Sequence, residues 1–252
     1  MSMRSDFKIA PLRCPECGAE LPVRGHFITF QCPSCMQHWL LRGGNLTPLD
    51  ILRVVDDKGP STDTIYIPFW IFPVNARKLA QDIINGAETN EKIAISNAKA
   101  EILKRESGST PFIGKRELEY FLDRYLNRQT INIFVPAFLS RNPYAYIKVG
   151  RLMTSHQIKF KATSSRGISQ VLCALSEEMA EKLLDFIFIS TLPEKIKLAG
   201  HFLENLHLEP EGRASLVEFP FIPRGNYLIS VLGGFSVSRK LIMLPSDMAL
   251  IG

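Results

Sequence analysis

Residues 14–35 read CPECGAELPVRGHFITFQCPSC. The stretch holds four of the chain's five cysteines as two C-P-x-C pairs, Cys14/Cys17 and Cys32/Cys35, with fourteen residues between the pairs. Cysteines at i and i+3 on a tight turn aim both sulfurs into one small volume, and backbone N–H groups of the turn stabilise thiolate charge. Two such turns facing each other supply tetrahedral S4 coordination, the donor set of zinc or of a single iron. Gly18, just after Cys17, permits the positive φ that such a turn needs. Between the turns, residues 26–31 (HFITFQ) alternate as a strand does, and residues 36–41 (MQHWLL) predict a return strand.

On these residues the segment 11–43 resembles a zinc ribbon, two metal-binding turns on a short antiparallel sheet. The resemblance covers about an eighth of the chain. It implies a zinc ion held by Cys14, Cys17, Cys32 and Cys35, with a structural role. It also implies uses in nucleic-acid binding, in protein contact, or in holding one end of a larger protein together. C-P-x-C-G occurs in rubredoxin-like iron sites as well, but here the second pair is followed by Met36, and the gap between pairs is short. Four thiolates close the shell, whereas catalytic zinc keeps an open position. His26 and His38 are spare donors, read first as strand residues beside the metal. Some 30 residues cannot build an adequate core, so the ion stabilises this unit, and serine at Cys14 or Cys32 is expected to unfold 11–43 while sparing the body.

The setting fits metal better than disulfides. The start, MSMRSDFKIAPLR, lacks the apolar run of a secretory signal, and no stretch has ~18 consecutive apolar residues, so a cytoplasmic protein without a transmembrane segment is expected. Thiols there stay reduced. The formal charge of +5 falls to about +3 once four thiolates hold a divalent ion, a weak argument by itself for a polyanionic partner.

Beyond residue 45 the pattern predicts a mixed α+β body over 46–252, after a ribbon over 1–45. Gly43-Gly44-Asn45 reads as the exit from the ribbon. Residues 51–55 predict a strand and 56–61 a loop. Three stretches set proline among aromatic and β-branched residues: YIPFW (66–70), FVPAF (134–138) and EFPFIP (218–223). Proline cannot donate to a ladder, so each is expected at an edge, a bulge or a strand start, and the three together suggest a duplicated β unit. Helices are expected over 89–106, 115–127 and 193–207, and another after an N-cap at Ser176. Residues 227–242 predict a hairpin around Gly233-Gly234.

No nucleotide-binding or hydrolase motif is present, and Cys173 sits among apolar residues as an inert thiol would. One charge feature rises above background. No Asp or Glu occurs between Arg124 and Ser176, while Arg124, Arg128, Arg141, Lys148, Arg151, Lys159, Lys161 and Arg166 do, interleaved with aromatics. Arg141, Lys148, Arg151, Lys159, Lys161 and Arg166 are the candidate anion contacts. A solvated face, an acidic protein or an anionic membrane surface would use the same charge. The leading expectation is a non-enzymatic zinc-binding adaptor acting through protein–protein contacts, with YIPFWIFP as an apolar edge for strand addition. The alternatives are a nucleic-acid-binding protein using the ribbon and the 124–176 span, and an enzyme whose site the sequence does not display.

Overall fold

A computed structural model of the chain describes residues 11–23, 27–55, 63–75, 78, 130–165, 173–192 and 207–243. The helices expected over 89–106, 115–127 and 193–207 (all but His207 of the last), the loop at 56–61, and His26, Arg124, Arg128 and Arg166 lie outside the described residues. The architecture is mixed α+β, with the cysteine cluster near the N-terminus.

A three-stranded antiparallel sheet carries the cysteine turns, in the order β1 (Thr29–Gln31), β2 (His38–Arg42), β3 (Asn45–Pro48). Gly43-Gly44 is not the exit from this sheet. Arg42 pairs with Asn45, and the two glycines, at φ 54° and 83°, form the two-residue hairpin turn between β2 and β3.

A second, seven-stranded sheet is built around β8 (Ser215–Arg224). One edge of β8 pairs antiparallel with β5 (Ile65–Asn75), which pairs in turn with β6 (Thr130–Pro136). Its other edge is shared. β4 (Ile51–Val54) runs parallel to Leu216–Glu218, and β9 (Tyr227–Ser230) then takes over antiparallel from Phe221. β7 (Ala162–Ser164) extends the sheet beyond β4, and β10 (Ser236–Ser238) extends it beyond β9. The three proline-aromatic stretches are therefore adjacent strands, in the order β6-β5-β8.

The prolines explain how β5 and β8 can be central. In an extended residue N–H and C=O point to the same side. The Pro68 carbonyl accepts from Ala137 just past the last β5–β6 pair, and the Pro73 carbonyl accepts from Glu211 just past the last β5–β8 pair. The Pro220 carbonyl accepts from Val231 in the gap where β4 gives way to β9. Each missing donor thus faces a side where the ladder is interrupted, so none costs a ladder bond. This corrects the expectation of an apolar edge at YIPFWIFP: β5 is paired on both sides, and residues 67–72 are buried.

The sheet has two apolar faces. One sends Trp70, Phe72, Ile133, Val135 and Leu216 against Leu40 of β2 and against α2 (Glu177–Glu181) and α3 (Leu184–Thr191). The other packs Phe69, Phe134, Phe219 and Phe221 on α1 (Tyr144–His156), with edge-to-face rings whose centroids lie 5.6 Å apart for Phe69–Phe219 and 5.7 Å for Phe134–Phe219. Ser176 caps α2, accepting from the Met179 N–H at 3.2 Å. The single helix expected after it is broken at Lys182-Leu183.

The sequence did not announce α1, which closes the outer edge of β6. Thr154 Oγ1 accepts from the Phe134 N–H at 3.1 Å. Gln157 copies a strand partner: its Oε1 accepts from the Asn132 N–H at 3.1 Å, and its Nε2 donates to the Asn132 carbonyl at 2.7 Å. An edge strand left open would be a pairing hazard, and these side chains occupy it. Gly150, one turn before Thr154, permits the approach. A Cβ there would come within 2.6 Å of Ile187 Cδ1 and 2.9 Å of the Phe134 carbonyl oxygen. We expect Gly150→Ala to lower stability by about 1–3 kcal/mol in urea denaturation, because the backbone contact cannot yield by rotamer change.

Candidate metal centre

The two cysteine turns are built alike. In the first, the Gly18 N–H donates to the Cys14 carbonyl at 2.9 Å and the Cys14 N–H to Ala19 at 2.8 Å. In the second, the Met36 N–H donates to the Cys32 carbonyl at 3.0 Å and the Cys32 N–H to Gln37 at 2.9 Å. The residue after each second cysteine is left-handed, Gly18 at φ 75° and Met36 at φ 60°. Glycine carries this conformation freely, whereas methionine does so at a cost. Met36→Gly is expected to stabilise the unit by about 1 kcal/mol, read as a raised midpoint in chelator titration.

The four sulfurs converge. All lie within 4.8 Å of one another, with Cys14–Cys35 at 3.6 Å and Cys17–Cys32 at 3.4 Å, and no disulfide joins them. Tetrahedral zinc with bonds of about 2.3 Å separates its sulfurs by about 3.8 Å, so the set has the dimensions of a four-thiolate site. The first cysteine of each pair, Cys14 and Cys32, is buried against Leu21, Phe30 and Trp39, and the second, Cys17 and Cys35, faces solvent.

The electrostatics separate the thiols. Burial would raise Cys32, but N–H donation from Cys35 and Ser34 and the neighbouring thiols outweigh it and lower it to about 6. At Cys35 the Gln37 N–H favours the thiolate, but burial and the crowd of three other sulfurs dominate and push it up to about 12. Cys17 is raised too, against the N–H of Ala19, chiefly by the thiol of Cys32. Four negative sulfurs in this volume repel one another, and a divalent cation is the counter-charge that relieves them. His38 is buried on β2 opposite Gln31, outside the sulfur set.

The unit is laced to the body. The Ile28 N–H donates to the Cys173 carbonyl at 2.9 Å, and the Cys173 N–H donates to Thr29 Oγ1 at 3.0 Å. Arg42 reaches Glu177 and, at 2.7 Å, Glu178 in the first turn of α2. The Cys173 thiol is fully buried, donates to the Leu175 carbonyl at 3.2 Å, and is pushed up to about 12 by burial, so it is protonated and inert at neutral pH.

Of the candidate anion contacts, Arg141, Lys148, Arg151, Lys159 and Lys161 are exposed. Lys148 and Arg151 share one stripe of α1, Arg141 precedes that helix, and Lys159 and Lys161 lie on the irregular segment leading to β7. Among the described residues none of the five is in an ion pair.

Sequence reasoning missed one cluster. Arg53 on β4 stands opposite Glu218 on β8, and its Nε and Nη2 both reach Glu218 Oε2 at 2.6 Å. The Tyr66 ring covers the guanidinium at 4.1 Å. The side chains are 11% and 2% exposed, so this is a charge pair within the sheet. A lone charge in each of two apolar runs, ILRV and VEFPF, was the available signal.

Fold and site together define an α+β protein bearing a four-cysteine cluster suited to a metal ion. No family model, no curated protein and no solved structure matches the chain. No described helix is long and apolar enough to cross a membrane.

Proposed function

We propose that residues 11–48 are a zinc ribbon with a structural ion held by Cys14, Cys17, Cys32 and Cys35, and that the protein is a non-enzymatic adaptor working through contacts with other macromolecules. The observation that carries this reading is the convergence of four sulfurs within 4.8 Å. Four thiolates complete a tetrahedral shell and leave no vertex for water or substrate, so the ion's work is to hold the two turns together. The ties from β1 and β2 to Cys173, Glu177 and Glu178 support a role in fixing the ribbon on the body.

Metal analysis of the purified protein should give close to one zinc per chain. X-ray absorption should show sulfur alone in the first shell, at about 2.3 Å. Iron, or a nitrogen or oxygen donor completing the shell, would overturn the structural reading. A substrate turned over in a broad activity screen would overturn the non-enzymatic one.

A further inference from the structure

We propose that the exposed stripe of α1, Tyr144, Lys148, Arg151 and Ser155, together with Arg141, is a docking surface for single-stranded nucleic acid. The proposal rests on the contact-protein reading above and names the partner.

These helical residues follow a spacing of four, three and four, so they line one side of a helix about 20 Å long. Tyr144 is 80% exposed, an unusual position for a ring. Its N–H donates to Asn142 Oδ1 at 3.0 Å, and the neighbouring Tyr146 ring stacks on Phe138 with centroids 5.8 Å apart, so the start of the helix is held in place. The cations of this stripe have no carboxylate partner among the described residues, although Arg42, Arg53 and Lys78 do. No acidic residue lies between 124 and 176 in the sequence, so α1 itself carries none to repel a phosphate. Unpaired cations flanking an exposed ring are the composition that neutralises a phosphate backbone and stacks a base.

The same geometry disfavours the other polyanions. A helix that binds a membrane inserts its apolar side, but on α1 that side (Ala145, Val149, Met153) is buried against the sheet. A protein interface carries an apolar centre, whereas this stripe offers one ring among charges.

The test is fluorescence anisotropy of labelled single-stranded DNA and RNA of mixed sequence, with the full zinc-loaded chain. Duplex DNA and vesicles rich in phosphatidylserine serve as rivals. Binding to single strands is expected at about 50 mM salt. It should weaken with added salt at a slope of about −0.7 per phosphate contacted. Lys148→Glu/Arg151→Glu should reduce affinity tenfold or more. Tyr144→Ala should reduce it severalfold for single strands and little for duplex. Circular dichroism and zinc content of each variant check that the fold is kept. No oligonucleotide binding at low salt, binding indifferent to the charge reversal, or tighter binding to vesicles would each overturn the proposal. If zinc content and sulfur coordination are intact in that sample, the ribbon reading stands while this one falls. A metal site with an open vertex would instead overturn the ribbon reading alone.

Discussion

Cys32→Ser is expected to abolish stoichiometric zinc binding and to lower the thermal midpoint of the whole protein, beyond its first fifty residues. Cys32 is the most buried of the four sulfurs, at 0% exposure, and two backbone N–H groups favour its thiolate. Structural zinc contributes about 10–16 kcal/mol of apparent binding energy in isolated finger peptides, enough to decide whether the unit folds. The sequence alone predicts a local loss, because a ribbon reads as a separate module. The structure predicts a wider one. Leu40 belongs to the same apolar cluster as Trp70 and Phe72, and Thr29 accepts the Cys173 N–H. The chain has two tryptophans, Trp39 beside the cysteines and Trp70 within the body. In a Trp39→Phe background, the emission of Trp70 reports on the body alone. A midpoint lowered by several degrees on adding Cys32→Ser is the expected result. An unchanged Trp70 transition would mean that the ribbon rests on the body without stabilising it.

Arg53→Met should cost about 3–5 kcal/mol at pH 8 and much less at pH 5, because the substitution strands Glu218 in the sheet. Burial raises Glu218 to about 7, against the opposing pull of Arg53, while an ordinary glutamate titrates near 4.5. Between those values the folded chain holds a proton that the unfolded chain has released. The contribution of this group to stability is therefore fullest below about 4.5 and is lost as pH rises through about 7. Urea denaturation across that range should show the decline in the native protein and a flatter profile in Glu218→Gln. In Arg53→Met the decline should continue above pH 7, since no cation pulls the carboxyl back down. Equal costs for Arg53→Met at pH 5 and pH 8 would show that Glu218 is charged throughout.

What the sequence displayed followed the range of the interactions. The cysteine turns were legible because each is decided within six residues, and Met36 shows that the backbone demand persists where the usual glycine is missing. The strands of the body were legible in composition, and β6 is the edge strand its proline suggested, but β5 and β8 are central. Proline content argued for edges, and the actual solution needs the ends of neighbouring ladders, which no local pattern encodes. The helix α1 stayed hidden because YAYIKVGRLMTSH carries β-branched residues, two tyrosines and a glycine, all modest or poor helix formers. Its stability comes from packing, and Gly150 is there for contact with β6 and α3. Arg53 and Glu218 are 165 residues apart, and only the fold makes them neighbours.

The side-chain amide that closes the outer edge of β6 has a consequence for how this protein fails. Lift α1 away, by heat or by truncation, and TINIFVP becomes an open template of β-branched and aromatic residues without a charge. An uncovered edge of this kind offers unpaired N–H and C=O groups to a second copy of the chain, and Pro136 breaks the template only at its end. The species that collects on partial unfolding should accordingly be a precipitate or fibre, and the reversibility of melting should depend on Gln157 and Thr154 more than on any residue of the core.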